Sequence, residues 1–411
     1  MLKREKKVAV TGIGMITALG CSAPECWGGM LAGTSGIARI RRLDVSDCIT
    51  QIGGELPDRY YEMEEQAFSR RLFKQTEVTT RLGILCGREA MADSGFSVEG
   101  RDPLACAVIS GSGQTGYEET FDLNGEPGKF AIIQQMANAL SGWLSIEYGF
   151  QGPSYNVATA CASGAFAVAA AYRHIASGAG EAVLVIGVDA MVSPRAIKGF
   201  NQLAALSERN DDPQAASRPF DLERDGFVLA NGGAALMLES EAAARRRGAR
   251  IYALISGAGL CSESYNIVAP EPSGTAMAQA MTLAMQDGEI APEQVQYISA
   301  HGTSTPHNDA AETAAIKKAF GEQARRLAVS SQKSMTGHTI GGAGAIECAT
   351  TALCLHHGVI TPTINYRTPD PRCDLDYVPN TAREAKDLTF ALSNSFGFGG
   401  HNSTILIEKV R

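Results

Sequence analysis

The most informative short segment of the chain is Thr159-Ala160-Cys161-Ala162-Ser163-Gly164. An extended run at residues 155–158 leads into it, and a small, apolar helical pattern follows at residues 165–171. Cys161 is therefore expected at a helix N-terminus, where exposed N–H groups and the positive dipole end favour the thiolate and lower the thiol pKa. Its small neighbours leave room for a thioester. We interpret Cys161 as a candidate nucleophile, the alternative being a core cysteine in an alanine-rich helix.

Two of the seven histidines lie in polar, glycine-rich segments that follow predicted strands. These are His301 in His301-Gly302-Thr303-Ser304-Thr305-Pro306 and His338 in Lys333-Ser334-Met335-Thr336-Gly337-His338. A neutral imidazole with Nε2–H can donate a hydrogen bond to a carbonyl oxygen that becomes an oxyanion. Two such donors on one thioester carbonyl would stabilise the enolate that decarboxylation of a malonyl thioester requires, and this carbanion would attack the Cys161 thioester. A cysteine protease would instead need one Cys–His pair with an orienting Asn or Asp.

Two further features could support this chemistry. Lys333 lies five residues before His338 and could fix the charge balance and the hydrogen bonds around the histidines. Near the C-terminus, residues 394–402 place two phenylalanines in a glycine-rich turn, and the glycines free backbone N–H groups to face a ligand. The backbone N–H of Phe398, paired with that of Cys161, is predicted to form an oxyanion hole.

Composition argues against several other classes of function. With 36 Lys and Arg against 44 Asp and Glu, the net charge of −8 indicates neither nucleic-acid nor anionic-membrane binding. There is no membrane-length apolar run and no signal-type segment, so we expect a cytoplasmic protein. The ten cysteines form no CxxC pair, and we predict no metal site. The segment 111–116 matches GxGxxG, but the acidic residue of a dinucleotide site is missing about 20 positions later, so we expect no nicotinamide cofactor.

The pattern of apolar runs predicts an α/β fold whose sheets are covered on both faces. Predicted strands cover residues 8–11, 105–110, 182–186, 234–238, 252–256, 297–300, 328–330, 390–394 and 403–408, and predicted helices cover 76–94, 162–177, 275–286, 310–320 and 343–356. Residues 202–225 read as a long loop, of the kind that usually forms a lid or an interface element.

The two halves of the sequence look alike, which indicates an internal duplication. Each half opens on a strand followed by glycines, and each later has a Gly/Ala-rich helix. We place one half at residues 1–250, with Cys161, and the other at residues 251–411, with His301, Lys333 and His338. The site is then expected between the halves, at the carboxyl ends of strands.

Taken together, these motifs resemble the β-ketoacyl-(acyl carrier protein) synthase family, specifically its elongating type II branch. The resemblance includes residues 159–164, 301–306, 333–338 and 394–400, together with 209–221 and 369–380. It implies the thiolase fold: a duplicated, five-layered αβαβα arrangement with mixed sheets. It also implies that the enzyme is an acyltransferase acting in fatty-acid or specialised polyketide or polyene biosynthesis.

The resemblance implies a role for each matching residue. Cys161 would accept the acyl group, His301 and His338 would assist decarboxylation and condensation, and Lys333 would support them. Phe398 and Phe200 would gate the acyl pocket. Thr303 and Thr305 would bind the phosphopantetheine arm, which arrives on an acyl carrier protein, so that the enzyme needs no cofactor of its own. Family members are usually dimers, and a homodimer and a heterodimer both stay open.

The sequence departs from the family pattern at several places. A Gly-Glu-Gly-Ala-Gly-like stretch reads Ala230-Asn231-Gly232-Gly233-Ala234, the segment 125–140 is shortened, and His401 stands where Thr is common. Gln114 occupies a position of the acyl pocket that is commonly apolar. From Gln114 we predict a polar, short or unsaturated acyl intermediate.

A basic cluster of Arg70, Arg71 and Lys74 is a candidate docking site for an acidic carrier protein, the alternative being ordinary helix surface. Two other functions were weighed. A non-catalytic partner resembling a chain-length factor would have lost the nucleophile, which is present. A degradative thiolase would need a further cysteine in the C-terminal glycine turn, and residues 394–402 have none.

Overall fold

The computed structural model describes residues 7–113 and 126–410. The strands are β1 (Val8–Ile16), β2 (Ala38–Arg39), β3 (Ile52–Gly53), β4 (Cys106–Gly111), β5 (Ser154–Val157), β6 (Ala182–Ala190), β7 (Asn231–Ser240), β8 (Ala253–Ser262), β9 (Tyr297–Ser299), β10 (Ala328–Ser330), β11 (Val359–Ile360), β12 (Arg383–Glu384), β13 (Phe390–Gly397) and β14 (His401–Glu408). The helices are α1 (Ala23–Leu31), α2 (Asp58–Ala67), α3 (Arg70–Gln75), α4 (Val78–Ser94), α5 (Ala131–Gln135), α6 (Ala139–Tyr148), α7 (Ser163–Ala176), α8 (Pro194–Gln202), α9 (Glu241–Arg246), α10 (Thr275–Asp287), α11 (Asn308–Phe320), α12 (Lys333–Thr336) and α13 (Ala343–His357).

Ten strands form one mixed sheet, in the order β10-β9-β13-β14-β8-β1-β7-β6-β4-β5. Each half of this sheet repeats the same topology. In the first half β1 lies beside β7, followed by β6, β4 and β5, and in the second half β8 lies beside β14, followed by β13, β9 and β10. The strand directions also match. In each half the strand that comes last in the sequence, β7 or β14, is antiparallel to both of its neighbours, β1 and β6 or β8 and β13, and the remaining pairs of that half are parallel. The internal duplication is therefore confirmed. A short antiparallel pairing of β1 with β8 joins the halves.

The helices complete five layers. Helices α7 and α13 pack on each other and touch strands of both halves, while α4 covers the outer face of the first half and α10 that of the second. The central helices are rich in Ala and Gly because they approach so closely. A Cβ atom on Gly344 would lie 2.5 Å from the backbone nitrogen of Ala165, and one on Gly164 would lie 2.7 Å from the carbonyl oxygen of Gly341. Larger side chains at these positions would force the layers apart.

All nine predicted strands and all five predicted helices are present, although several extend further than expected. Helices α1, α2, α5, α6, α8 and α12 were missed. Residues 202–225 do form a long connection that contains only one short 3₁₀ turn, Pro213–Ala215. The second part of this connection packs into the molecule, since Ser217, Arg218, Phe220 and Asp221 are buried, and its role as a lid or interface element stays a prediction. Within the described ranges, no helix is long and apolar enough to cross a membrane.

Candidate active site

Cys161 lies in a tight turn between β5 and α7, two residues before the helix begins. The turn requires a left-handed backbone at Ala160, with φ of +50°. Ser163 closes it, because its Oγ accepts a hydrogen bond from the Thr159 N–H at 2.8 Å and donates one to the Ala160 carbonyl at 2.7 Å. Such a strained backbone is retained where the surroundings determine it, and here it presents the thiol at the end of the strand.

The prediction of a lowered pKa for Cys161 is wrong. Burial raises the pKa of the thiol to about 11, and this effect exceeds the lowering by Lys333 and by a hydrogen bond from the backbone N–H of Phe398. The sequence showed the helix terminus but not the depth of the site, and desolvation disfavours the charged form of a buried group. The Phe398 N–H does face the thiol, as the oxyanion-hole prediction requires.

Seven of the predicted site residues line a single cavity of about 300 Å³. They are Cys161, Phe200, His301, Thr303, Thr305, His338 and Phe398. The rings of His301 and His338 lie edge to face with centroids 5.5 Å apart. The cavity thus combines one thiol, two imidazoles, two hydroxyl groups and two phenyl rings. Gln114 lies outside the described residues, so its predicted place in the acyl pocket stays a prediction.

His301 follows β9 directly and is held by buried charged groups. Its backbone N–H and that of Gly302 donate to the two carboxyl oxygens of Glu312, at 2.9 and 2.8 Å. The Lys333 Nζ lies 3.3 Å from Nδ1 of His301 and donates to its carbonyl at 2.6 Å. Burial lowers the pKa of His301 well below its ordinary value, and the charge of Lys333 lowers it further. The ring is therefore neutral, and Lys333 favours the tautomer with Nδ1 as acceptor and Nε2–H as donor.

Lys333 itself is 2% exposed and forms an ion pair with Glu347 on α13. The other carboxyl oxygen of Glu347 accepts from Ser395 at 3.1 Å. Burial raises the pKa of Glu347 to about 7, although Lys333 opposes the shift. Burial likewise raises the pKa of Glu312 to about 7, against its backbone hydrogen bonds. Lys333 is therefore a buried lysine behind the cavity and not part of the surface.

His338 does not follow a strand directly, as was expected, because the short helix α12 intervenes. Its backbone donates to the Val228 carbonyl at 2.7 Å and accepts from Ala230 at 3.0 Å, which places it against the start of β7. Burial, followed by the charge of Lys333, lowers the pKa of His338 well below its ordinary value. Its buried Nδ1 has no hydrogen-bond partner among the described residues. A neutral ring with an unused polar atom can serve a polar ligand.

Thr303 and Thr305 lie on the loop between β9 and α11, and their hydroxyl groups are 3.0 Å apart. Buried Arg224 holds this loop by donating to the carbonyls of Thr305 at 3.0 Å and Pro306 at 3.2 Å. Arg224 is itself paired with Asp370 at 2.8 Å. The segment 202–225 therefore supports one wall of the cavity.

Phe200 and Phe398 are both at the cavity, as the resemblance implied. Phe200 comes from α8 and packs edge to face on Phe227, at 5.3 Å between centroids. Phe398 lies in the turn between β13 and β14, where the next two residues, Gly399 and Gly400, have φ of +82° and +73°. This conformation favours glycine.

Four residues that hold the site were missed by the sequence reasoning: Asp189, Arg224, Glu312 and Glu347. A sequence signal existed for Arg224 only, since it lies next to the segment 209–221 that the resemblance includes. Asn231, which departs from the family pattern, has a structural role, because its side-chain oxygen accepts a hydrogen bond from the backbone N–H of Val192 at 2.8 Å. In the described part of the chain, no group of three or more His, Cys, Asp or Glu residues could hold a metal ion.

Comparison with protein families agrees with this geometry. A model described as the N-terminal domain of β-ketoacyl synthase matches residues 5–244, and one described as its C-terminal domain matches residues 252–367. The 3-oxoacyl-(acyl-carrier-protein) synthase 2 of Synechocystis sp. is 40% identical, with 98% of each chain covered. The enzyme of the same name from Coxiella burnetii is also 40% identical, with 99% of each covered. The chain therefore belongs to the β-ketoacyl synthase family.

Solved structures show the same relationship. A ketosynthase described in complex with its type II polyketide synthase acyl carrier protein, and bound to a hexaketide, has a TM-score of 0.87 at 32% identity, with 98% of this chain and 99% of that chain covered. The ishigamide ketosynthase/chain length factor has a TM-score of 0.90 at 30% identity, with the same coverage. The fold is thus the thiolase-like ketosynthase fold, and the protein is a condensing acyltransferase of the 3-oxoacyl-(acyl-carrier-protein) synthase 2 type.

Proposed function

We propose that Cys161 carries the acyl group of this condensing enzyme and that His301 and His338 assist the decarboxylation of the malonyl unit. The observation that carries the proposal is the single cavity in which the thiol, the two neutral imidazoles and the Phe398 N–H meet. Lys333 faces Nδ1 of His301 and is paired with Glu347, and neither Lys333 nor Glu347 lines the cavity. Each of these roles agrees with the resemblance.

The first half-reaction transfers the acyl group. The Cys161 sulfur attacks the thioester carbonyl of the acyl carrier protein, and the N–H groups of Cys161 and Phe398 stabilise the oxyanion. The carrier thiol leaves and takes up the proton lost by Cys161. Because the raised pKa of Cys161 keeps it a thiol at neutral pH, the proton must depart as the new bond forms.

The second half-reaction joins the two carbon chains. Loss of CO₂ from the malonyl thioester leaves an electron pair in an enolate, whose oxygen accepts hydrogen bonds from His301 and His338. The enolate carbon attacks the Cys161 thioester, a carbon–carbon bond forms, and Cys161 leaves as a thiolate. The 3-oxoacyl product stays on the carrier protein. Neutral donors suit this step, since burial lowers the pKa of both histidines.

The substrate arm is proposed to enter past Thr303 and Thr305. Their hydroxyl groups line the cavity and can bind the amides of a phosphopantetheine arm. For the acyl carrier protein we propose docking at Arg70, Arg71 and Lys74, which the structure places on α3 with all three side chains exposed. Charge complementarity with an acidic carrier supports this surface.

A dimer is proposed through the edge strand β5, which among residues 7–113 and 126–410 pairs only with β4 and has an exposed Tyr155. An open strand edge can pair with a second chain. The partner can be a second copy or a ketosynthase-like subunit, and the similarity to a ketosynthase/chain length factor makes the heterodimer a specific alternative. A non-catalytic role of this chain is the alternative function, although the thiol and both histidines are in place.

Three further expectations stay predictions. The boundary between halves at residues 250 and 251 is supported by the start of the repeated topology at β8. A polar, short or unsaturated acyl group depends on Gln114, and acyl selectivity unchanged in a Gln114→Ile variant would contradict it. A cytoplasmic location, and the choice between fatty-acid and polyketide pathways, depend on the sequence reasoning given above.

Intact-mass spectrometry tests the proposal. The protein is incubated with malonyl-carrier protein and a panel of saturated and unsaturated acyl-carrier proteins. We expect an acyl adduct on Cys161, a 3-oxoacyl product on the carrier, and neither in a Cys161→Ala variant. Acylation without condensation would indicate a missing partner subunit. Absence of acylation across the panel would refute the catalytic role and favour the non-catalytic partner.

A further inference from the structure

Asp189, the eighth residue of β6, is a buried carboxylate beside the nucleophile turn that the mechanism above does not use. It is 0% exposed. Its Oδ1 accepts a hydrogen bond from the Ser112 hydroxyl at 2.5 Å, and its Oδ2 accepts from the backbone N–H groups of Gly113 at 3.0 Å and Gly341 at 2.7 Å. Residues 112–113 and 340–341 belong to different halves of the molecule, so one carboxylate joins the halves at this point.

Both of these turns bear directly on the backbone around Cys161. The Ser112 N–H donates to the Val157 carbonyl at 3.2 Å, and a Cβ atom on Gly113 would lie 3.3 Å from the Ala160 carbonyl. On the other side, the Gly341 carbonyl lies against the first turn of α7, 2.7 Å from where a Cβ atom on Gly164 would be. The two turns therefore bracket the segment that carries the thiol.

Strained backbone occurs in the turn at residues 340–341 and in the nucleophile turn that it contacts. Ile340, which lines the cavity, has φ of +49°, and Ala160 has φ of +50°. Non-glycine residues keep such a conformation only where neighbouring contacts hold it. The two turns also touch, since a Cβ atom on Gly341 would lie 2.3 Å from the Gly113 nitrogen. The Asp189 carboxylate accepts hydrogen bonds from the turns at residues 112–113 and 340–341.

We propose that Asp189 is a positioning residue of the condensing reaction: its hydrogen bonds fix the turns at residues 112–113 and 340–341 and thereby the position of the Cys161 thiol, and its negative charge acts on that thiol. This inference rests on the proposed role of Cys161 as acyl acceptor. In the described part of the chain, the charged and titratable groups around the thiol are Lys333, Asp189, His301 and His338. After burial, Lys333 and the Phe398 N–H have the larger effects on the pKa of Cys161, and Asp189 raises it further.

The test separates the charge of Asp189 from its hydrogen bonds. In Asp189→Asn the amide oxygen can accept from Gly113 and Gly341 while the NH₂ group donates to Ser112, so the three bonds survive and the charge is lost. In Asp189→Ala all three bonds are lost. Two readouts are taken for each variant: the pH profile of Cys161 alkylation by iodoacetamide, by mass spectrometry, and the kcat and KM of acyl loading from an acyl carrier protein.

We expect Asp189→Asn to shift the alkylation profile to lower pH and to alkylate Cys161 about threefold faster or more at pH 8, because removal of a nearby negative charge favours the thiolate. Asp189→Ala should lower the kcat of loading about tenfold or more with little change in KM, since the carrier arm binds elsewhere. A purely structural role would not move the alkylation profile of the isosteric variant. An unchanged profile in Asp189→Asn, or wild-type loading by Asp189→Ala, would overturn the proposal.

Two further variants complete the experiment. Ser112→Ala keeps the charge and removes one hydrogen bond, so it replaces Asp189→Ala if that variant does not fold; slower loading supports the proposal and wild-type loading overturns it. Glu239→Gln removes another buried carboxylate at the far end of the same strand pair and should leave both readouts unchanged. If wild-type protein does not load at Cys161, the proposed function fails, while the alkylation profiles still report whether Asp189 acts on the thiol.

Discussion

Replacing Lys333 by Met would test a deeply buried ion pair that supports His301. Lys333 and Glu347 have side chains that are 2% and 1% exposed. Removing one partner of such a pair leaves an uncompensated buried charge and costs about 3–5 kcal/mol. With an unfolding entropy of about 2.1 cal/mol/K per residue, a chain of 411 residues loses about 1.2 °C of melting temperature per kcal/mol. We therefore expect Lys333→Met to lower the melting temperature by about 4–6 °C at pH 8.

The loss should depend on pH in a defined direction. Burial already raises the pKa of Glu347 to about 7, and Lys333 opposes this shift, so removal of Lys333 raises the pKa further. A group with a raised folded-state pKa destabilises the fold as pH increases through that value. The deficit of Lys333→Met should then be larger at pH 8.5 than at pH 6, where the isolated carboxyl group can take up a proton.

A second substitution separates stability from catalysis. Glu347→Gln added to Lys333→Met removes the isolated charge and should restore part of the lost melting temperature. It should not restore malonyl decarboxylation, because the Nζ that faces Nδ1 of His301 is still missing. Circular dichroism melts and mass spectrometry of the carrier protein measure the two effects. Lys386→Met, which removes an exposed pair with Glu384, is the control and should change neither. A double variant no more stable than Lys333→Met would refute the reasoning.

Four other substitutions have expected outcomes. In Gly397→Ala, the new Cβ atom would lie 2.7 Å from the Thr159 carbonyl oxygen, so the rate of acyl loading should fall about tenfold or more. In Gly28→Ala, no atom lies within 4 Å of the new Cβ atom, so thermal unfolding should show a protein that is more stable by about 0.5–1 kcal/mol. Arg224→Lys loses the planar group that holds the loop at residues 303–306, so steady-state kinetics should show a raised KM for acyl-carrier protein while iodoacetamide still alkylates the thiol. Because the pKa of His338 is lowered in the folded state, unfolded chains bind a proton there below about pH 6.5 and folded chains do not. Acidification from pH 8 to pH 5.5 therefore lowers the free energy of unfolding of the wild-type protein. This loss should be about 1 kcal/mol smaller in His338→Asn, as measured by melts at pH 5.5 and pH 8.

The sequence predicted the reactive groups because their local context carries the signal. Cys161 follows an extended run and precedes a small-residue helix, and His301 follows a short apolar strand, so each position could be read from about ten residues. The same reasoning found the two halves, since the repeated strand and helix patterns are local. It failed at α8, where nine residues contain only one buried side chain, Ile197. An exposed helix of this length has too little apolar pattern to be distinguished from a loop.

The supporting residues could not be predicted because their partners are distant in the chain. Arg224 and Asp370 are 146 residues apart, and Asp189 and Gly341 are 152 apart. A single sequence gives no information about which buried arginine meets which carboxylate. The prediction of a lowered pKa for Cys161 was wrong for the same reason. The position of Cys161 at a helix terminus is a local property of the sequence, whereas its burial depends on the second half of the chain, including α13, packing against it.

The charge of Lys333 and the burial of the site favour neutral histidine hydrogen-bond donors over an ion pair between Cys161 and a histidine. An ion pair would need an imidazolium beside a thiolate, but Lys333 already places a positive charge next to His301 and lowers its pKa, while burial raises that of Cys161. Both partners are thus shifted toward their uncharged forms. A thiol of this kind loads slowly unless an oxyanion hole stabilises the tetrahedral intermediate. Imidazoles whose pKa lies well below the ordinary value are weak bases, and in their neutral form they can still donate a hydrogen bond to an enolate oxygen. The arrangement therefore fits the condensation of two thioesters, and it does not fit hydrolysis, in which a histidine must take the proton of the nucleophile.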